Sequence, residues 1–322
     1  MPRFSVILPL YNKEDYVVRT LESVARQTFR DFEAIVVDDG STDQSARRVE
    51  QFIAEHPDGS NFRLVRQDDR GVSVARNCGV DLATGEYVVF LDCDDWWEET
   101  FLEEMEGLIR RYPQAGIYGT GYYLVKHGQR RKAPVGVDDT FTDGIIDYCA
   151  VYARTLCMPL TSDTVALRRE VFLASGGFRD GIALGEDFDL WLRIALSHPV
   201  AFLNKPLANY FQDLGTGQRA IGRLHPPREH MLWNLGYLAD EERHNADLKE
   251  LLDKLRAYNL LPYYLSYQYH DEAVAELEKV DWLRLPATKR RPYTMPLALA
   301  RLIYRIRAFG AHIKKKLKSA NL

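Results

Sequence analysis

The 322-residue chain is 46% hydrophobic and 27% charged, which suits a soluble globular protein with one large domain and a smaller one. No apolar run approaches the roughly 20 residues needed to cross a bilayer. The four cysteines, Cys78, Cys93, Cys149 and Cys157, form no Cys-x-x-Cys pair, which argues against a cysteine zinc site and fits a reducing compartment.

The start, "PRFSVILPLYN", passes directly into strand-like sequence, so no signal peptide is expected and the chain is placed in the cytoplasm. Phe4–Leu10 is a continuous apolar run, as in a strand covered on both faces. A helical pattern follows, with Tyr16, Val17, Thr20, Leu21 and Val24 on one side. Phe32–Asp39 is the second strand. Ser41 and Gln44 are spaced as a capping box for the next helix. "NFRLVRQ" is the third strand and "GVSVARNCGVDLATG" the third helix, with Gly85 placed to close it. "EYVVFLD" is the fourth strand, and "WEETFLEEMEGLIRRY" a further helix.

Such alternation with short connections implies a parallel sheet flanked by helices, and such sheets bind ligands beyond the carboxyl ends of their strands. Pro9 and Tyr11 close the first strand there, Asp38 and Asp39 the second. Asp69 follows the third, and Asp92, Asp94 and Asp95 end the fourth. No Gly-x-Gly-x-x-Gly, P-loop or His-Glu-x-x-His is present, so a nicotinamide enzyme or P-loop nucleotidase is not expected. An Asp-x-Asp at a strand end can instead neutralise a diphosphate through Mg²⁺ or Mn²⁺, which prefer hard oxygen ligands. The competing reading is a solvated acidic turn before a helix.

After Gly116 the elements are mixed. "SDTVALRREVFLASGGF" reads as a strand, a short helix and a Gly-Gly turn. "GEDFDLWLRIALSH" is a helix with Phe188, Trp191, Leu192 and Ala195 on one face, and an Asp189–Arg193 surface pair. "VAFLNKPLANYFQD" reads as two short strands. The expected domains are 1–220 and a helical region, 221–322.

Four blocks together, "FSVILPLYNKEDYV", "DFEAIVVDDGSTD", "GVSVARNCGVDLATGEYVVFLDCDD" and "GGFRDGIALGEDFDLWLRIA", resemble the family 2 glycosyltransferases of GT-A fold, over about residues 3–215. The resemblance implies a Rossmann-like, mostly parallel sheet and inverting, metal-assisted transfer of a hexosyl or N-acetylhexosaminyl group from a nucleotide diphosphate, in first place UDP. It implies that Pro9 and Tyr11 line the base pocket, and that Asp39 accepts a hydrogen bond from the base. Asp69 stands where the family often has Asn, at a base or ribose contact. Arg76 would face the diphosphate or pair with a nearby carboxylate. Asp92 would hold ribose or sugar, Asp94 the Mn²⁺ or Mg²⁺. Asp187 would be the general base, with Glu186 beside it. Where many members have a His that reaches the metal, this chain has "NYFQDLG", so Asp213 is the expected third protein ligand.

The acceptor is expected to be a glycan or a lipid-linked hydroxyl in surface polysaccharide synthesis. The alternatives are a non-catalytic nucleotide-sugar or glycan-binding module on the same fold, and a sugar-nucleotidyltransferase, whose Gly-rich, Lys-bearing opening is missing after Leu8. Lys289–Leu322 holds ten Lys and Arg and no Asp or Glu, on an otherwise acidic chain that would repel nucleic acid. Leu299, Leu302, Ile303, Ile306, Ile313 and Leu317 fall near helical spacing there, as in an amphipathic helix on an anionic membrane surface. Packing of that helix on the body is the alternative, and formation of a homo-oligomer is left open.

Overall fold

The computed structural model describes residues 1–214 and 223–306. It divides into two compact units, Met1–Leu235 and Gly236–Leu322. The boundary expected near residue 220 and the basic tail beyond Ile306 lie outside the described residues.

The first unit opens with β1 (Phe4–Leu10), α1 (Val17–Ala25), β2 (Phe32–Asp39), α2 (Ser45–Glu55), β3 (Phe62–Gln67), α3 (Val72–Leu82) and β4 (Tyr87–Phe90). Then come β5 (Trp96–Trp97), α4 (Phe101–Arg111), β6 (Ile117–Lys126), β7 (Gln129–Lys132), β8 (Asp143–Ile146) and α5 (Tyr148–Thr155). The unit continues with β9 (Val165–Arg168), α6 (Arg169–Ala174), α7 (Glu186–Ala195) and β10 (Val200–Phe211). One sheet runs β3-β2-β1-β4-β9-β6-β10-β5, with β7 on β6 and β8 on β10. The β3, β2, β1 and β4 strands pair in parallel, and β6 with β10 likewise. Strand β9 joins the two groups antiparallel to β4 and β6.

All seven residues of β1 are buried, which is why it carries no polar alternation. Burying such an aliphatic side chain contributes about 1.5–3 kcal/mol, so the central strands dominate stability. Helix α3 can lie close on them because a Cβ at Gly79 would meet Ile7 Cγ2 at 2.4 Å. Here the sequence asks for glycine through contact, not backbone angle.

Four local expectations are corrected. Ser41 does not cap α2: its Oγ accepts from the Asn12 N–H, and Asp43 takes the Ser45 N–H instead. Gly85 does not close α3, which ends at Leu82; a Cβ there would strike the β1 backbone at Phe4 and Ser5. The two short strands after Pro199 are one strand, β10, irregular around Pro206, which lacks the donor a regular ladder needs. The Asp189–Arg193 pair exists but is not superficial: Asp189 is buried, and Arg179 and Arg193 both hold its carboxylate.

In the second unit, the helix Ala246–Asn259 turns Leu248, Leu251, Leu252 and Leu255 inward. Its buried Arg256 meets Glu242 and Glu276, so the charge is not left unpaired. A last helix is described over 297–306; Ala300 is buried, and Arg301 donates to the carbonyls of Leu265 and Ser266. Leu299, Leu302 and Ile306 of that helix are exposed. No helix among the described residues is long and apolar enough to cross a membrane.

Candidate active site

The carboxyl ends of β1, β2 and β4 supply one side of the site. Beyond β1, Tyr11 is 44% exposed while Pro9 is buried. Asn12, at φ +50°, adopts the left-handed region that Asn tolerates better than most residues. Its side-chain oxygen accepts from the Thr42 N–H at 2.8 Å, so the loops after β1 and β2 are tied together. Asn12 was not among the expected site residues, and only its place after Tyr11 hints at this turn.

Asp39 is buried and already engaged. Oδ1 accepts from Gln67 Nε2 at 2.7 Å and from the Arg70 N–H at 2.9 Å; Oδ2 accepts from the Gly71 N–H at 2.8 Å. It thereby shapes the loop that leads into α3. Asp69, in that loop, is exposed and packs against Gly40, whose φ of +75° and lack of Cβ permit the approach. Asp38 supports the turn, accepting from the Ser41 N–H at 3.2 Å.

Arg76 on α3 is the centre of the arrangement. Its side chain is only 3% exposed, with Nη2 2.7 Å from Asp92 Oδ1 and Nη1 3.0 Å from Glu186 Oε1. Asp92 comes from the end of β4 and Glu186 from the first turn of α7. One guanidinium therefore joins the two acidic motifs, reaching Glu186 across 110 residues of sequence and Asp92 across 16. Burial alone would lower the Arg76 pKa, but the surrounding carboxylates outweigh it and hold the charge firmly. Asp92 keeps a third of its side-chain surface, 34%, open to solvent.

Asp187 follows Glu186. Gly185 caps the helix at φ +84°, and a Cβ there would lie 2.3 Å from Met231 Cγ, so this turn requires glycine. The Asp187 carboxyl accepts from the Phe188 N–H at 2.7 Å. Burial chiefly, and then the Glu186 charge, push its pKa up to about 7, with Arg76 pulling the other way. Beside it stand Tyr148 and Tyr152 of α5, one helical turn apart. The Tyr148 hydroxyl is buried with no hydrogen-bond partner among the described residues. This tyrosine pair was missed in the sequence, where its i,i+4 spacing looks like ordinary core.

The loop after β4 is held by α1 and the segment before it. Lys13 Nζ lies 2.6 Å from Asp94 Oδ2, and Arg19 Nη2 donates to the Asp94 carbonyl at 2.7 Å. The Arg19 guanidinium lies 3.9 Å from the Trp96 ring centre and 4.7 Å from that of Phe211. Burial first, opposed by Lys13, raises the Asp94 pKa. Asp95 accepts from the Phe211 N–H at 2.6 Å, and its carbonyl from Thr20 Oγ1 at 2.7 Å. Asp163, not anticipated from the sequence, accepts from the Asp92 N–H at 2.7 Å. Burial raises both the Asp95 and the Asp163 pKa, and mutual repulsion adds to the rise at Asp95. A carboxyl held protonated between them relieves that repulsion.

Asp213, the expected further metal ligand, lies after β10. It accepts from the His127 N–H and so tethers the β6–β7 turn. Among the described residues, no three His, Cys, Asp or Glu side chains form a group able to hold a metal ion. Mg²⁺ sites, however, use one or two carboxylates together with substrate phosphates, not all-protein cages. Asp94 fits that pattern: a shielded hard-oxygen donor whose charge is already met by a cation.

A sheet of this topology, gathering carboxylates at its parallel edge, defines a GT-A type of glycosyltransferase fold. Residues 5–172 match the family model described as Glycosyl transferase family 2. The chain belongs to that family. It is 31% identical to the amylovoran biosynthesis glycosyltransferase AmsB of Erwinia amylovora over 232 residues, 68% of this chain and 73% of AmsB. It is 28% identical to the glycosyltransferase GlyA of Streptococcus pneumoniae serotype 4 over 272 residues, 78% of this chain but only 37% of GlyA. Its fold is similar to S. aureus TarS 1-349 in complex with UDP-GlcNAc, with a TM-score of 0.72 at 22% identity, covering 93% of this chain and 87% of that one.

Proposed function

We propose that this chain is an inverting glycosyltransferase that moves a sugar from UDP to a hydroxyl of a glycan or lipid-linked acceptor. The observation that carries the reading is the Arg76 bridge, which links the Asp92 side to the Asp187 side through one buried cation. The UDP assignment draws on the UDP-GlcNAc held by TarS, and the polysaccharide setting on the name of AmsB.

Inverting transfer is a direct displacement. The acceptor oxygen bonds to the anomeric carbon while the bond from that carbon to the diphosphate oxygen breaks. The leaving electron pair stays on the diphosphate, and the acceptor proton passes to Asp187. A carboxylate with a pKa of about 7 is well matched to that task near neutral pH. Arg76 supplies fixed positive charge between the two sides, where little reorganisation is needed. Tyr11 offers an exposed ring for base stacking, and Asp92 an open carboxylate for ribose or sugar hydroxyls. A divalent cation bound by Asp94 and the diphosphate would add Lewis-acid stabilisation of the leaving group.

A nucleotide-sugar panel tests the reading, with thermal shift and nucleotide release measured with and without Mn²⁺. UDP-sugars should raise Tm by a few degrees at about 100-fold excess over Kd, and UDP should be released. No response to any nucleotide sugar would overturn the proposal; binding without release would point to a non-catalytic module.

The exposed Leu299, Leu302 and Ile306, next to the basic tail, support a second element of the proposal, contact with an anionic membrane surface. The full chain should sediment with anionic vesicles and a chain ending near Pro292 should not. Equal sedimentation would rule the contact out.

A further inference from the structure

Lys13 stands apart from the residues assigned so far. Its backbone is fixed, the N–H donating to Ser45 Oγ at 2.7 Å. Its side chain reaches the loop after β4 and places Nζ 2.6 Å from Asp94 Oδ2. The two side chains are 16% and 11% exposed, so each charge depends on the other in a place with little water.

The two cations that hold this loop differ in kind. Arg19 is clamped between the Trp96 and Phe211 rings and binds a backbone carbonyl. It serves the loop's shape, and its hydrogen bond goes to the Asp94 backbone and not to the carboxylate. Lys13 binds the carboxylate itself, through a compact point charge on a flexible stem with no bidentate geometry to lose. Such an ammonium is readily exchanged for another cation, and it is a competent phosphate partner once released. Its position after Tyr11 puts it at the same sheet edge as the proposed base-stacking ring.

We propose that Lys13 is an exchangeable counter-ion. It neutralises Asp94 in the unliganded protein and yields that carboxylate to a divalent cation when the donor binds, its ammonium then pairing with the donor diphosphate. No covalent bond changes, and the ammonium keeps its charge throughout. The assignment rests on the nucleotide-diphosphate reading above and extends it to a residue that reading does not use.

The test uses the full chain as wild type, Lys13→Met and Lys13→Arg. Mn²⁺ binding is measured without nucleotide by calorimetry or by the loss of the free-ion EPR signal; UDP binding is measured in excess EDTA. Removing the competing ammonium should tighten nucleotide-free Mn²⁺ binding in Lys13→Met about tenfold, the scale of one partly shielded ion pair. The same variant should bind UDP in EDTA about tenfold more weakly, through loss of one charge-assisted contact, with Lys13→Arg close to wild type. Unchanged, weaker or undetectable Mn²⁺ binding in Lys13→Met would overturn the exchange. Unchanged UDP binding in EDTA would overturn the diphosphate contact. A wild-type chain that ignores UDP even with Mn²⁺ would instead sink the donor reading and the diphosphate contact with it, while the Mn²⁺ comparison would still decide the exchange.

Discussion

Asp187→Asn should lower turnover by about 10²–10⁴, the usual contribution of a positioned general base, and leave UDP binding in place. Asn keeps the shape and can still accept from the Phe188 N–H, but it cannot take the acceptor proton. The substitution leaves the Arg76 pairs with Asp92 and Glu186 in place, which should spare the nucleotide. The pH dependence gives a sharper test. With a pKa of about 7 in the folded enzyme, the rate should rise with pH, bend near 7 and level off; the Asp187→Asn variant should show no such limb. Stability should move the other way. The folded pKa lies above the ordinary carboxyl value of about 3.9, so protonated Asp187 suits the fold and charged Asp187 does not. The stability associated with this group is fully present below the unfolded pKa and is lost as pH rises through about 7. Asn carries no charge, so Asp187→Asn should gain in Tm relative to wild type as the pH is raised from about 5 to about 8. Undiminished turnover would remove Asp187 from the mechanism.

The sequence makes the sheet edge legible because period and placement coincide there. An unbroken apolar run such as Phe4–Leu10 fits a strand covered on both faces, and the polar residues after it then emerge at one edge. The acidic cluster from Asp92 to Asp95 was visible for that reason, whereas Glu186 and Asp187, at the start of a helix, were reached through the family resemblance. The connection between the two was not visible. Nothing in "VARN" says that Arg76 will be buried between Asp92 and Glu186, since the pairing depends on how α3 lies over β1, with Gly79 against Ile7. Asp163 escaped because it sits in a short turn with no period, and its function is to hold the Asp92 N–H. Tyr148 and Tyr152 escaped because aromatic i,i+4 pairs are common in cores. Asp213 carries a second task that the sequence did not show, accepting from the backbone of the β6–β7 hairpin.

Arg76→Met should produce the largest combined effect, and the two parts of it can be separated. Removing one member of a buried ion pair typically costs about 3–5 kcal/mol; here the cost falls mainly on Glu186, 15% exposed, since Asp92 keeps contact with water. For a domain of this size that corresponds to a fall in Tm of roughly 6–20 °C. A structural role alone would end there. The bridge implies more, because Arg76 opposes the burial that raises the Asp187 pKa. Arg76→Lys is the informative variant. One ammonium cannot reproduce the fork that reaches Asp92 at 2.7 Å and Glu186 at 3.0 Å at once. It retains charge in the site, so the enzyme should fold with a smaller loss of Tm. Its weaker hold on the acidic pair should leave Asp187 harder to ionise, so the rising limb of its rate profile should move to higher pH. A wild-type Tm in Arg76→Met would show that the pairs contribute nothing to the fold. A limb unmoved in Arg76→Lys would show that Arg76 does not set the ionisation of Asp187, whatever it contributes to stability.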